Sequence, residues 1–138
     1  MPASPQELLR RALEASLTGS PELIEEVFSE DVVVWSPNLL VSSRAELEDA
    51  LADRDDALSN VEWSIDWIGA IRHKAIAEWR VAADHTGPFL IGDDLLVEGT
   101  GKRITLAGAT FAEVIDGRIH SMRHYFDDAA LLEQVLLD

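Results

Sequence analysis

Leu9, Leu13 and Leu17 recur at i, i+4 and i+8, with Leu8 and Ala12 beside them. That spacing predicts a helix with one apolar stripe. Ser4-Pro5-Gln6-Glu7 is its start: Ser4 caps, Pro5 takes the first helical position, and Glu7 completes a capping box. Gly19 ends it. Ser20-Pro21 opens a second, shorter helix that turns Leu23, Ile24, Val27 and Phe28 inward. Val32-Val33-Val34-Trp35 is β-branched and aromatic, so it predicts a short strand, broken by Pro37-Asn38. Ser43-Arg44-Ala45-Glu46 is another capping box. It opens a third helix through about Leu58, with Leu47, Ala50, Leu51 and Leu58 on the buried side.

The period then changes to two. Val61, Trp63, Ile65 and Trp67 alternate with Glu62, Ser64 and Asp66, the signature of a half-buried strand. Ala75, Ala77, Trp79, Val81 and Ala83 repeat the pattern, with a turn at Arg72-His73-Lys74 between the two strands. From His85 to Thr100, Gly87-Pro88 and Gly92-Asp93-Asp94 mark loops around at most a short strand. Two strands, Ile104 to Ile115 and Arg118 to Phe126, flank Asp116-Gly117, a strong hairpin signal. A last amphipathic helix starts near Asp127 or Asp128. Helices first and mostly antiparallel strands later predict an α+β architecture, helices packed on one sheet face. Residues 1–138 form one domain, with no internal repeat or linker.

Charge and composition narrow the function. A net charge of −15 argues against nucleic acid and anionic membrane surfaces, which need clustered Lys and Arg. The chain has no cysteine, so disulfides, thiolate nucleophiles and cysteine zinc sites are excluded. The N-terminus lacks a basic region and an apolar signal core. No apolar run approaches the roughly 20 residues of a membrane helix. The expectation is a cytoplasmic, soluble protein.

The C-terminal run GATFAEV-IDG-RIHSMRHYFD-DAALLEQ carries the candidate chemistry. Strand alternation puts Arg123, Tyr125 and Asp127 on one face where the strand meets the helix. A carboxylate, a cation and a phenol converging there make a plausible small-molecule site. The order Gly-Arg-Ile, a polar stretch, an aromatic, then Asp127 followed by Leu131, Leu132 and Gln134 resembles the C-terminal signature of the SnoaL-like polyketide cyclases. These belong to the nuclear transport factor 2-like superfamily, with ketosteroid isomerase and limonene epoxide hydrolase. The resemblance implies a cystatin-like cone: a curved, mixed or antiparallel sheet packed with N-terminal helices, open at one end to a ligand. It also implies a homodimer formed through the opposite sheet face.

In the resemblance, Asp127 matches the aspartate proposed as the acid/base of the cyclases. A carboxylate in a partly apolar site can hold a proton and pass it at carbon beside a carbonyl. The alternative is a plain helix cap, by Asp127 or Asp128. Tyr125 and Arg123 depart from the family pattern, which often has His and Trp there. Tyr125 can hold an enolate as oxyanion-hole donors do. Arg123 can bind a carboxylate or neutralise Asp127, or the two can be a buried pair that only orders the strand. Trp35, Trp63, Trp79 and Phe111 are core material and also suit the wall of a pocket for a flat apolar ligand. Asn38 falls where the superfamily often places a polar pocket residue. His85-Thr86-Gly87 resembles an element common in these cyclases, or is a polar loop.

His120 and His124 stand about 13 Å apart on a strand, too far to chelate one ion. No metal and no cofactor are expected, and His124 is expected on the sheet face away from the ligand. Glu78 and Arg80 read as a cross-strand ion-pair ladder with Glu62 or Asp66. They depart from the Asp–Arg–Asp water-activating cluster of limonene epoxide hydrolase-like proteins.

The expected function is a cofactor-independent cyclase or isomerase acting by proton transfer on a small apolar carbonyl compound, polyketide-like or steroid-like. Asp127, Tyr125 and Arg123 would do the chemistry. The alternatives are a non-catalytic binding or dimerisation module on the same fold, since fold does not imply function, and an epoxide hydrolase.

Overall fold

Ser4 accepts the Glu7 N–H and Pro5 stands at the first position of α1 (Pro5–Thr18), which closes on Gly19 at φ 68°. In this computed structural model, which describes residues 3–37, 39–52, 58–91 and 95–136, Ser20 caps α2 (Pro21–Val27) in the same way. Phe28 then ends α2 and starts β1 (Phe28–Ser36) without a linker. β1 folds back on β2 (Leu39–Val41), and α3 (Arg44–Ala52) follows. Two long hairpin arms come next, β3 (Leu58–Ile71) and β4 (Lys74–His85), turned by Arg72 at φ 57°. A small hairpin, β5 (Phe89–Ile91) and β6 (Leu95–Val97), precedes β7 (Arg103–Ile115), β8 (Arg118–Phe126) and α4 (Asp128–Leu136). Asp116 and Gly117 both have positive φ, 51° and 78°, as the type I′ hairpin turn requires.

The main sheet has the order β2-β1-β8-β7-β4-β3, and β5-β6 stand apart. Every neighbouring pair is antiparallel except β1 with β8, so the sheet is mixed. Register shifts interrupt β1–β8, β3–β4 and β7–β8. Bulges of this kind bend strands and increase twist. α1 lies over β3, β4, β7 and β8, and α3 over β1 and β2. Between helices and sheet sits the core, with Leu9, Ala12, Ile24, Val27, Phe28, Val32, Ala75, Ala77, Ile119 and Met122 fully or almost fully buried.

Two expectations change. α3 spans Arg44–Ala52, and Leu58, expected on its buried side, opens β3 opposite His85. Leu58 finds its apolar contacts with Ile104, Leu131 and Val135, not on a helix face. Residues 53–57 lie outside the described residues. β2, β5 and β6 are short strands that the sequence pattern did not separate from loop. No helix among the described residues is long and apolar enough to cross a membrane.

Candidate ligand site

Beyond the register shift near Ser121, the side chains of β8 alternate from Met122 onward. Met122 is buried, and His124 and Phe126 also point to the helices; Arg123 and Tyr125 are exposed on the other face. On the helix side lies a cavity of about 190 Å³. Its wall is apolar, with Leu13, Leu17, Leu47, Leu51, Leu106 and Phe126 among the liners. Trp63 and Trp79 also line it, and Ser16, Ser36 and His124 are its polar members. Apolar walls with a few placed polar groups are the usual make-up of a small-molecule site. The volume suits a compact ligand.

Register explains how His124 is held. Ala77, Thr110 and His124 form one row across β4, β7 and β8, and Trp79, Gly108 and Phe126 form the next. From that adjacent row the Trp79 indole donates its Nε1–H to the Thr110 hydroxyl at 2.8 Å. Thr110 Oγ1 in turn lies 2.7 Å from His124 Nδ1. Thr110 is wholly buried and Trp79 nearly so. A hydrogen-bonded chain in so dry a place is costly to break. Gly108 provides the space, because a Cβ there would come within 2.6 Å of Trp79 Cζ2 and of the Tyr125 carbonyl oxygen.

Of the residues expected in a pocket, Trp63 and Trp79 line this cavity. Trp35, Phe111 and Tyr125 do not: they form an aromatic cluster on the outer sheet face. The Tyr125 ring lies 5.3 Å from that of Trp35 and meets Phe111 edge-on at 5.6 Å. Arg123 stands among them, paired in register with Trp35 and Phe111. Asp127 is exposed, and its Oδ1 accepts the Ala130 N–H at 3.0 Å as the N-cap of α4. It is not among the residues that line the cavity. Its place is set by the strand's exit into α4, whose first turn has N–H groups in need of an acceptor. His85 is fully buried, with Nδ1 3.0 Å from Thr100 Oγ1 at the base of the β5–β6 hairpin, and it does not line the cavity. Asn38 lies outside the described residues.

His124, expected on the opposite face, is thus the cavity's titratable group among the described liners, and Thr110 is its support. The signal was in the alternation. Met122 and Phe126 are the apolar partners of His124 in parity, while Arg123, Tyr125 and Asp127 form the polar phase of the strand. The apolar phase of a half-buried strand is the one that faces the core.

The outer face holds a larger, open trough of about 990 Å³ over Ala82, Ala107 and Ala109, rimmed by Glu62, Asp66, Glu78 and Arg80. Its openness to solvent and charged rim make it the weaker candidate for an apolar ligand, despite its size. Arg80 Nε binds Asp66 Oδ2 there at 2.7 Å, the expected cross-strand pair. Nearby, Arg103 joins Glu62 and Asp84 at 3.0 Å each. Hydrogen bonds from Asn60 and then Arg103 hold the Asp84 carboxyl below its ordinary 3.8. Among the described residues no arginine and no carboxylate line the inner cavity, so these residues do not assemble the acid–arginine–acid cluster of an epoxide hydrolase there.

Helices over one face of a mixed six-stranded sheet, with an apolar chamber between them, define the class: an α+β domain of the nuclear transport factor 2-like fold. The chain belongs to the SnoaL-like polyketide cyclase family, whose profile matches residues 6–135. Among solved structures, it is similar to a proposed SnoaL-like polyketide cyclase from Jannaschia sp. CCS1, with a TM-score of 0.83 at 16% identity over 100% of this chain and 99% of that one. It is also similar to IdmH, a proposed polyketide cyclase from Streptomyces antibioticus, with a TM-score of 0.78 at 17% identity over 96% and 98% of the two chains. An LEH-like epoxide hydrolase from M. tuberculosis matches with a TM-score of 0.70 at 20% identity, over 96% and 89%. At such identities the likeness establishes the fold. Among curated proteins none matches the sequence.

Proposed function

We propose that the inner cavity binds a compact, apolar carbonyl compound and promotes its enolisation, the step that isomerisation and aldol ring closure share. The observation that carries this reading is His124, a hydrogen-bonded imidazole set in an otherwise apolar wall. Passing the proton from the carbon beside a carbonyl to solvent water breaks the C–H bond, leaves its electron pair in the enolate and moves negative charge to the oxygen. An imidazole in a dry cavity is well suited to serve that oxygen, because electrostatic stabilisation is strongest where water is excluded. Family membership supports the substrate class. The outer aromatics Trp35, Phe111 and Tyr125 are assigned to self-association rather than to the ligand, on the ground that exposed apolar patches mark contact surfaces.

The test is hydrogen–deuterium exchange at the α-carbons of 2-tetralone in D2O, followed by NMR. Wild-type protein is expected to accelerate exchange, and His124→Leu to lose about a hundredfold of that acceleration. Binding of 2-tetralone without accelerated exchange would favour the second reading, a non-catalytic binding module. The lack of any carboxylate among the described liners is the observation on that side.

A further inference from the structure

The Thr110 hydroxyl is fully buried, and its two side-chain partners are Trp79 and His124. An indole N–H can only donate, so Trp79 occupies one lone pair of Thr110 Oγ1. The hydroxyl proton then needs an acceptor, and His124 Nδ1 at 2.7 Å is the one in reach. Were Nδ1 itself protonated, Thr110 would accept twice and its own proton would be buried without a partner. Such orphaned donors are rare in folded proteins and costly.

We propose that Trp79 and Thr110 together fix His124 in the neutral tautomer that carries its proton on Nε2, so that His124 meets the ligand as a hydrogen-bond donor. Thr110 is then a positioning residue and Trp79 the group that sets its direction. A ligand atom that reaches Nε2 is then an acceptor oxygen, a ketone carbonyl or an enolate or phenolate. This last statement rests on the cavity being the ligand site; the tautomer does not. A second-row residue choosing which imidazole nitrogen holds the proton is a known way of tuning histidine.

The experiment is long-range 1H–15N correlation of the histidine ring nitrogens in ligand-free protein at mildly alkaline pH. The His124 signals are assigned by their loss in His124→Leu. Wild type is expected to show a protonated Nε2 and an unprotonated Nδ1, with the Nε2–H form ahead by about tenfold or more. Thr110→Ser, which keeps the hydroxyl, is expected to retain that pattern. Trp79→Phe and Thr110→Val are expected to shift both nitrogens toward averaged values, and either suffices if the other fails to fold. A protonated Nδ1 in wild type overturns the proposal, as does an unchanged tautomer in Trp79→Phe or Thr110→Val. An Nε2–H tautomer in a protein that exchanges no 2-tetralone protons would sink the enolisation reading alone. Accelerated exchange with a protonated Nδ1 would sink the tautomer alone.

Discussion

Gly108 lies beneath the indole of Trp79, its cross-strand partner, so closely that a Cβ on Gly108 would stand 2.6 Å from Trp79 Cζ2. The same Cβ would meet the carbonyl oxygen of Tyr125 at 2.6 Å. One obstacle is a ring held by Thr110 and the other is backbone, so neither moves cheaply.

Gly108→Ala is therefore expected to destabilise the fold by about 1–3 kcal/mol, the range for overpacking a filled site. In urea titration the midpoint should fall while the slope stays the same. An unchanged midpoint would mean that Trp79 does not need the glycine.

Thr110→Val keeps the shape of the side chain and removes its hydroxyl. The Trp79 N–H then loses its acceptor in a buried place, at a cost of roughly 1–3 kcal/mol. In a Trp79→Phe background that donor is already gone, and the same substitution is expected to cost less. A double-mutant cycle measures the difference; additive effects would show that the two side chains are not coupled.

Asp127 separates a cap from a catalyst. Asn caps helices about as well as Asp, and Ala does not. Asp127→Asn is expected to leave stability and ligand affinity unchanged, and Asp127→Ala to cost about 1 kcal/mol of stability alone. Loss of proton exchange in a well-folded Asp127→Asn protein would restore the aspartate to the reaction.

Much of the fold was legible because its signals are local. Ser4-Pro5, Ser20-Pro21, Ser43 and Asp116-Gly117 each mark a start or a turn by their own backbone chemistry, and each does so in the structure. That Leu58 belongs to β3 and not to α3 was not legible, because Leu58 is claimed by β7 and α4, contacts distant in sequence. The lining of the inner cavity was half legible. Trp63 and Trp79 sit where an apolar wall was expected. The conspicuous polar trio Arg123, Tyr125 and Asp127 drew attention to the solvent-facing phase of β8. His124 lay on the apolar phase, and its link to Thr110 depends on the β7–β8 register, which a strand read alone does not give.

Acid should act through Asp84. Asn60 and Arg103 lower its folded-state value below 3.8, so the folded state favours the ionised form. The stability this contributes is present above the unfolded value and is lost as pH falls through the lower folded one. Asp84→Asn is expected to flatten the stability profile below about pH 3.8, and added salt to weaken the wild-type effect, because the group is partly exposed. A profile identical to wild type would mean that other carboxylates dominate acid unfolding.

The most direct test of the site is a tryptophan-fluorescence titration with 2-naphthol and 2-tetralone, read through Trp63 and Trp79 in the cavity wall. A phenol mimics the enolate, so wild type should bind 2-naphthol more tightly than 2-tetralone. His124→Leu should lose that preference, and Asp127→Asn should keep it. Equal binding of both compounds, or a preference that survives His124→Leu and disappears in Asp127→Asn, would contradict a cavity built around His124.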